Sequence, residues 1–158
     1  MSGERRNSAR GTRQTTRNAV VVLVEDEPGL RSAWLALLEE VGYSVYEAAD
    51  GQSGLQLVRD IQPDVVITDL VMPVEDGRAL ANSMRNDADL RHIPIIAATG
   101  DTPRSADAEL FDVVLRKPFH SAVLLRALTQ LLIPVNGGWR PVRNRDSAIG
   151  PLRLQRYR

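Results

Sequence analysis

The residues in this chain best suited to chemistry are carboxylates, one lysine and one threonine, and each stands where a short apolar run stops. Asp69 ends the run Val65-Val66-Ile67-Thr68 and is followed at once by Leu70-Val71-Met72-Pro73, with Asp76-Gly77 close behind. Glu25 and Asp26 follow the aliphatic run Ala19 to Val24, Thr99 follows Ile95 to Ala98, and Lys117 follows Val113 to Leu115 and Arg116. Three carboxylates brought together repel, and each raises the others' pKa unless a cation intervenes. An all-oxygen set with open positions suits Mg²⁺, which keeps its waters and pairs with phosphate. A hydroxyl and an ammonium opposite that set are what the remaining oxygens of a phosphoryl group need. The chemistry implied is phosphoryl transfer onto a carboxylate nucleophile, promoted by positioning and charge neutralisation. The blander reading of Asp69 as a helix cap is weaker, because Asp76-Gly77 is the better turn and start signal.

For these groups to meet, the apolar runs must be strands whose C-terminal ends share one edge of a sheet, which is where open α/β sheets place their ligand sites. The runs are continuous rather than alternating, as expected of strands buried on both faces of a parallel sheet. Strands are predicted at Ala19 to Val24, Ser44 to Ala48, Val65 to Thr68, Ile95 to Ala98 and Val113 to Leu115. Between them lie helical patterns. Pro28 opens a helix carrying Leu30, Trp34, Leu37, Leu38 and Val41 at helical spacing, and Gly42 closes it. Leu55, Val58 and Ile61 mark a second helix stopped by Gln62-Pro63, and Asp76 to Asn86 a third with Leu80, Ala81 and Met84 on its apolar side. A small helix is expected somewhere in the polar segment Asp101 to Glu109. The last helix presents a broad apolar face of Val123, Leu124, Ala127, Leu128, Leu131 and Leu132. Strand and helix alternate with short connections, so helices cover both faces of the sheet.

The chain has 158 residues, enough for one ordinary domain and little more. No apolar run approaches the length of a membrane span, and the first is too short for a signal peptide, so a cytoplasmic location is the default expectation. With no cysteine there is no thiol nucleophile and no thiolate metal site. The formal net charge of zero conceals a segregation: residues 19–133 carry 18 acids and nine bases, while the flanking segments are rich in arginine. Of the 20 basic side chains only Lys117 is a lysine, which raises the question of whether a compact ammonium is needed there. His92 and His120 are far apart, lack a Ser or Cys partner in any motif, and read as surface or cap residues.

Taken together, Val-Glu25-Asp26-Glu-Pro, Asp69-Leu-Val-Met-Pro-Val-Glu-Asp-Gly, Ile-Ile-Ala-Ala-Thr99-Gly and Arg-Lys117-Pro-Phe resemble the receiver domain of two-component response regulators, over about residues 19–133. Each motif alone is weak, but four in order at strand ends are specific. The resemblance implies a flavodoxin-like (βα)5 doubly wound parallel sheet of strand order 2-1-3-4-5. It implies Asp69 as phosphoacceptor, Asp26 as a direct Mg²⁺ ligand, Glu25 as a ligand acting mainly through water, and the backbone carbonyl of Val71 completing the metal site. Thr99 and Lys117 would bind the phosphoryl oxygens, and Lys117-Pro118 would be a cis peptide. The partners implied are a histidine kinase or histidine phosphotransfer protein as donor and a downstream protein as target, with dimerisation on phosphorylation as a further expectation. Enzymology would be limited to self-phosphorylation and self-dephosphorylation. A hydrolase acting on external esters is disfavoured, since Leu70 and Val71 supply no general acid beside Asp69.

Two departures from the family pattern stand out. The residue three before the lysine is usually aromatic in the family and pairs with the threonine as a switch, whereas here it is Val114. The stretch from Thr99 to Lys117 is about one helical turn shorter than usual, so the fourth helix is expected to be truncated or irregular. Both put the usual output face in doubt; Phe111 and Phe119 are more readily core residues than mobile substitutes. Residues 1–18 and 134–158 have tail composition and are expected to be disordered. A transcription regulator binding DNA through these basic tails, and a receiver segment of a larger hybrid kinase or regulator, are the alternative readings; nucleic acid is the less favoured partner, because the C-terminal segment is too short for a helix-turn-helix domain.

Overall fold

Continuous runs of valine, isoleucine and leucine cannot leave either face to water, and in the computed structural model, which describes residues 17–143, they form the central sheet. Its strands are β1 (Val20–Val24), β2 (Ser44–Ala48), β3 (Val65–Thr68), β4 (Ile95–Thr99) and β5 (Val113–Arg116), all parallel, in the order β2-β1-β3-β4-β5. The helices α1 (Pro28–Glu40), α2 (Gly51–Ile61), α3 (Gly77–Asn86), α4 (Asp107–Leu110) and α5 (Ser121–Leu131) alternate with them. This is the flavodoxin-like (βα)5 fold expected from the sequence.

Side chains alternate across each strand, and the two sets build two cores. Val22, Val24, Val66, Ile95 and Ala97 pack beneath α2 and α3 with Val58, Leu80, Ala81 and Met84. Val21, Leu23, Val65, Ile67 and Ile96 pack beneath α1 and α5 with Leu38, Leu124, Leu128 and Leu131. On α1 the buried face is narrower than its spacing predicts: Leu38 is buried, Trp34 and Leu35 pack at its margin, and Val41 is half exposed because the helix ends there, with Gly42 turning the chain at φ 98°. Local signals set the other helix ends. Glu27, Asp50 and Asp76 each accept hydrogen bonds from amides of the first turn that follows.

The fourth helix is a single turn, as its short sequence segment requires. A buried ion pair secures it: Arg78 of α3 donates from Nε and Nη2 to the two Asp107 oxygens at 2.8 and 3.0 Å, and the Arg104 amide donates to Asp107 at 2.7 Å. Phe111, just beyond, is buried in the core.

The expected tails need correction at their inner ends. Residues 132–141, read partly as linker, form an antiparallel hairpin of β6 (Leu132–Val135) and β7 (Gly138–Pro141) joined by Asn136-Gly137. Asn-Gly is a strong two-residue hairpin signal, and Gly137 takes the positive φ, 86°, that such a turn requires. The flanking Pro134 and Pro141 hide it in the sequence, but an isolated two-stranded ribbon tolerates proline on its open edges. Arg17 and Arg143, counted with the tails, are tied to the domain at the opposite sheet edge from Asp69. Arg17 grips Asp64 through both Nη atoms at 2.6 and 2.8 Å, and Arg143 donates from Nε to buried Asp112 at 3.1 Å. The rest of the expected tails, 1–16 and 144–158, lies outside the described residues.

One contact locks α3 to the strand that carries Asp69. A Cβ built on Gly77 would lie 1.8 Å from the Asp69 carbonyl oxygen, so the helix enters against the peptide of the candidate nucleophile and only glycine fits. Gly77→Ala is expected to cost about 3 kcal/mol and to displace Asp69, measured by urea denaturation alongside phosphorylation rate. The Arg78–Asp107 pair generates a second expectation. Hydrogen bonding from Arg78 holds the Asp107 carboxyl below the usual aspartate range. Its contribution is therefore complete above about pH 4, the unfolded aspartate value, and is lost as pH falls through the depressed folded value. Arg78→Met, which leaves Asp107 buried without its partner, is expected to cost about 3 kcal/mol at neutral pH and to flatten the acid limb of stability against pH.

Candidate functional site

The strand register brings the polar strand ends together. Val24 lies beside Thr68, so the next residues, Glu25 and Asp69, are neighbours on the C-terminal edge. Thr99 pairs with Arg116, which sets Lys117 beside them, and the Lys117 amide donates to the Thr99 carbonyl at 2.8 Å. The Lys117-Pro118 peptide is cis. Glu25, Asp26 and Asp69 each offer an oxygen such that all three lie within 4.8 Å of one another.

Lys117 is the counter-ion of this cluster. Its ammonium donates to Asp69 Oδ2 at 2.9 Å and to Glu25 Oε2 at 3.0 Å. Burial pulls the lysine pKa down, but the hydrogen bonds the ammonium donates to Asp69 and Glu25, with their negative charges, outweigh it and leave the value raised, so the ammonium is charged at neutral pH. Glu25 is almost fully buried; that desolvation pushes its carboxyl up from the usual range, against the pull of Lys117. The nucleophile candidate is better exposed, with 13% of its side chain open to solvent. Its second oxygen, Oδ1, accepts from the Val71 amide at 3.1 Å, which aims the carboxylate along the sheet edge. Val71 itself is exposed at the rim. Thr99 is buried, and its hydroxyl oxygen accepts from the Asp101 amide at 3.1 Å, leaving its proton available as a donor.

Every residue singled out from the sequence for this site, Glu25, Asp26, Asp69, Val71, Thr99 and Lys117, lies on this edge of the sheet. Val114 packs partly buried against the α2/α3 core, so no ring stands beside Thr99 from that position. His92 and His120 are both exposed, and His120 is the N-cap residue of α5. Sequence reasoning missed three supporting residues. Arg31 donates from Nη1 to the Glu25 carbonyl at 2.7 Å and so braces the acidic turn. Gly77 abuts the Asp69 carbonyl. Trp34, read only as helix core, places its ring 5.2 Å from the Lys117 ammonium. A tryptophan two turns into the helix that follows the acids was the available signal.

The donor set fits a hard divalent cation: three carboxylates of close spacing and no nitrogen or sulfur ligand. Such an arrangement can hold a phosphoryl group against a carboxylate with an ammonium and a hydroxyl alongside.

Comparison with known proteins agrees with this geometry. The response regulator receiver domain matches residues 21–129. The chain is 36% identical over 117 residues to the sensor histidine kinase TmoS of Ectopseudomonas mendocina, covering 72% of this chain and 12% of that protein. It is 36% identical over 100 residues to the probable transcriptional regulator ycf27 of Guillardia theta, covering 63% of this chain and 39% of the relative. It thus spans well under half the length of either. Among solved structures, the receiver domain of the sensor histidine kinase PA1611 from Pseudomonas aeruginosa PAO1, with magnesium in its active-site cleft, superposes with a TM-score of 0.66 at 29% identity, covering 72% of this chain and 96% of that domain. With its motifs, its strand order and its clustered strand ends all in agreement, this chain belongs to the response regulator receiver domain family.

Proposed function

We propose that the protein is a phosphorylation switch of a two-component or phosphorelay system, accepting a phosphoryl group on Asp69 and signalling through altered affinity for a protein target. The observation that carries this reading is the Lys117 ammonium shared between Asp69 and Glu25 at 2.9 and 3.0 Å, within a cluster of three carboxylates. A lone carboxylate is a poor recipient for an anionic phosphoryl group; one already paired to a fixed cation meets less repulsion as the charges approach.

In the proposed reaction an Asp69 oxygen attacks phosphorus while the P–N bond of a phosphohistidine donor breaks. The electron pair leaves on the imidazole nitrogen. The Val71 amide and Lys117 hold the carboxylate in line, and Lys117 and the Thr99 hydroxyl donate to the transferred oxygens. Asp26, Asp69 and the Val71 carbonyl, with Glu25 through water, would hold Mg²⁺, which when bound neutralises charge on the phosphoryl oxygens. Release is hydrolysis of the acyl phosphate, so the protein acts on itself and turns over no external substrate. The donor is a histidine kinase or histidine phosphotransfer protein, and the setting is cytoplasmic; among the described residues no helix is long and apolar enough to cross a membrane.

The short share of TmoS and ycf27 that the chain spans favours a second reading, in which the same chemistry serves as the receiver segment of a larger kinase or regulator. DNA binding through the basic tails is less well supported, since Arg17 and Arg143 at their inner ends are engaged by Asp64 and Asp112.

Incubation with Mg²⁺ and acetyl phosphate is expected to add about 80 Da to the intact mass, and this gain is expected to vanish in Asp69→Ala and on removal of Mg²⁺ with chelator. Absence of the gain in the wild-type chain, with metal and donor present, defeats the proposal. Lys117→Ala is expected to slow phosphorylation by about a hundredfold while the chain stays folded, measured as the rate of mass gain beside a circular-dichroism melt.

A further inference from the structure

The family's usual route from the phosphorylated edge runs through an aromatic ring at the position held here by Val114, on the α2/α3 side of the sheet. On the opposite side, a different pair of rings touches the site. Trp34 of α1 lies with its ring centroid 5.2 Å from Lys117 Nζ, within the range of a cation–π contact. The same ring packs against Phe119, two residues beyond the lysine, at a centroid distance of 5.9 Å and a tilt of 35°. Both rings are half buried against the α1/α5 core. Lys117 keeps 22% of its side chain exposed, and its ammonium meets the two carboxylates at its tip and the indole beside it.

We propose that Trp34 is a positioning residue for Lys117: its ring face steers the ammonium to the shared point between Glu25 and Asp69, and the Trp34–Phe119 pair carries any movement of the ammonium to the corner between α1 and α5. This rests on the reading of Asp69 as phosphoacceptor and Lys117 as its cationic partner. A cation–π contact strengthens in a partly desolvated setting, and this one borders a buried glutamate. Indole is the strongest of the natural ring partners, and the site's single lysine sits beside it. Finally, Phe119 braces the ring from the segment that carries Lys117, so lysine, tryptophan and phenylalanine form one contiguous stack. A phosphoryl group or a divalent cation competing for the Glu25 and Asp69 oxygens changes the position of the ammonium, and therefore its distance from the indole.

The test uses the full chain. Phosphorylation by acetyl phosphate at fixed Mg²⁺ is followed by intact mass for wild type, Trp34→Phe and Trp34→Leu, with thermal melts to confirm folding. Trp34→Leu stays apolar but lacks a ring face, and is expected to react about fivefold more slowly, whereas Trp34→Phe, which keeps a ring, stays within about twofold of wild type. A purely packing role predicts no such difference between the two. Independently of any loss of stability, Trp139→Phe leaves Trp34 as the sole tryptophan; its emission is expected to shift on addition of Mg²⁺ and again on phosphorylation, and to lose both responses with Lys117→Ala. Equal rates for Trp34→Leu and wild type, together with emission indifferent to Mg²⁺ and phosphorylation, overturn the proposal. If the wild-type chain gains no mass while Mg²⁺ still shifts Trp34 emission in a Lys117-dependent way, the phosphoacceptor reading falls and the positioning contact stands.

Discussion

Three carboxylates within 4.8 Å of one another are tolerable only because a cation stands among them, and in this chain that cation is Lys117. Much of the local architecture serves that one arrangement. The parallel register sets Glu25 beside Asp69, the β4–β5 pairing delivers the lysine, and the glycine at the head of α3 lets that helix close on the Asp69 peptide. An ammonium buried between two carboxylates is costly to desolvate and gains only if its geometry is held. The strand ends hold the carboxylates; the indole of Trp34 borders the lysine ammonium.

A short fourth helix and a valine at position 114 accompany this gathering of strand ends. Val114 packs partly buried against the α2/α3 core. On the α4 side of the molecule the Arg78–Asp107 pair secures the single-turn helix. Buried charge recurs at the far edge of the sheet, where Asp64 accepts from Arg17 and the Val20 amide, and Asp112 accepts from Arg85, Arg143 and the Ile95 amide. The charge segregation along the chain is thus partly resolved in space: arginines from the basic flanks reach back to acids of the core. Among the described residues no buried side-chain polar atom is left without a partner.

Legibility differed sharply between residues. The five strands, the order of functional strand ends, the cap at Asp76 and the turn at Gly42 were all readable, because each depends on a few consecutive side chains and their solvent exposure. The β6–β7 hairpin was signalled by Asn136-Gly137 but masked by prolines whose cost depends on whether an edge is open, a tertiary property. Val41 matched the helical period and yet lies half exposed, since periodicity says which face a residue occupies and not where the covering layer ends.

The amino-acid sequence by itself determined the alternation of strand and helix, the burial of the sheet on both faces and the identity of the groups gathered at its edge, because apolar periodicity and chain punctuation are local. Only the tertiary structure decided which carboxylates share the ammonium, that Trp34 faces Lys117 rather than serving as core alone, and that Arg17 and Arg143 anchor the flanks. Glu25 and Lys117 are 92 residues apart, and the energy of such a contact depends on a separation of a few ångströms that register and helix packing set together.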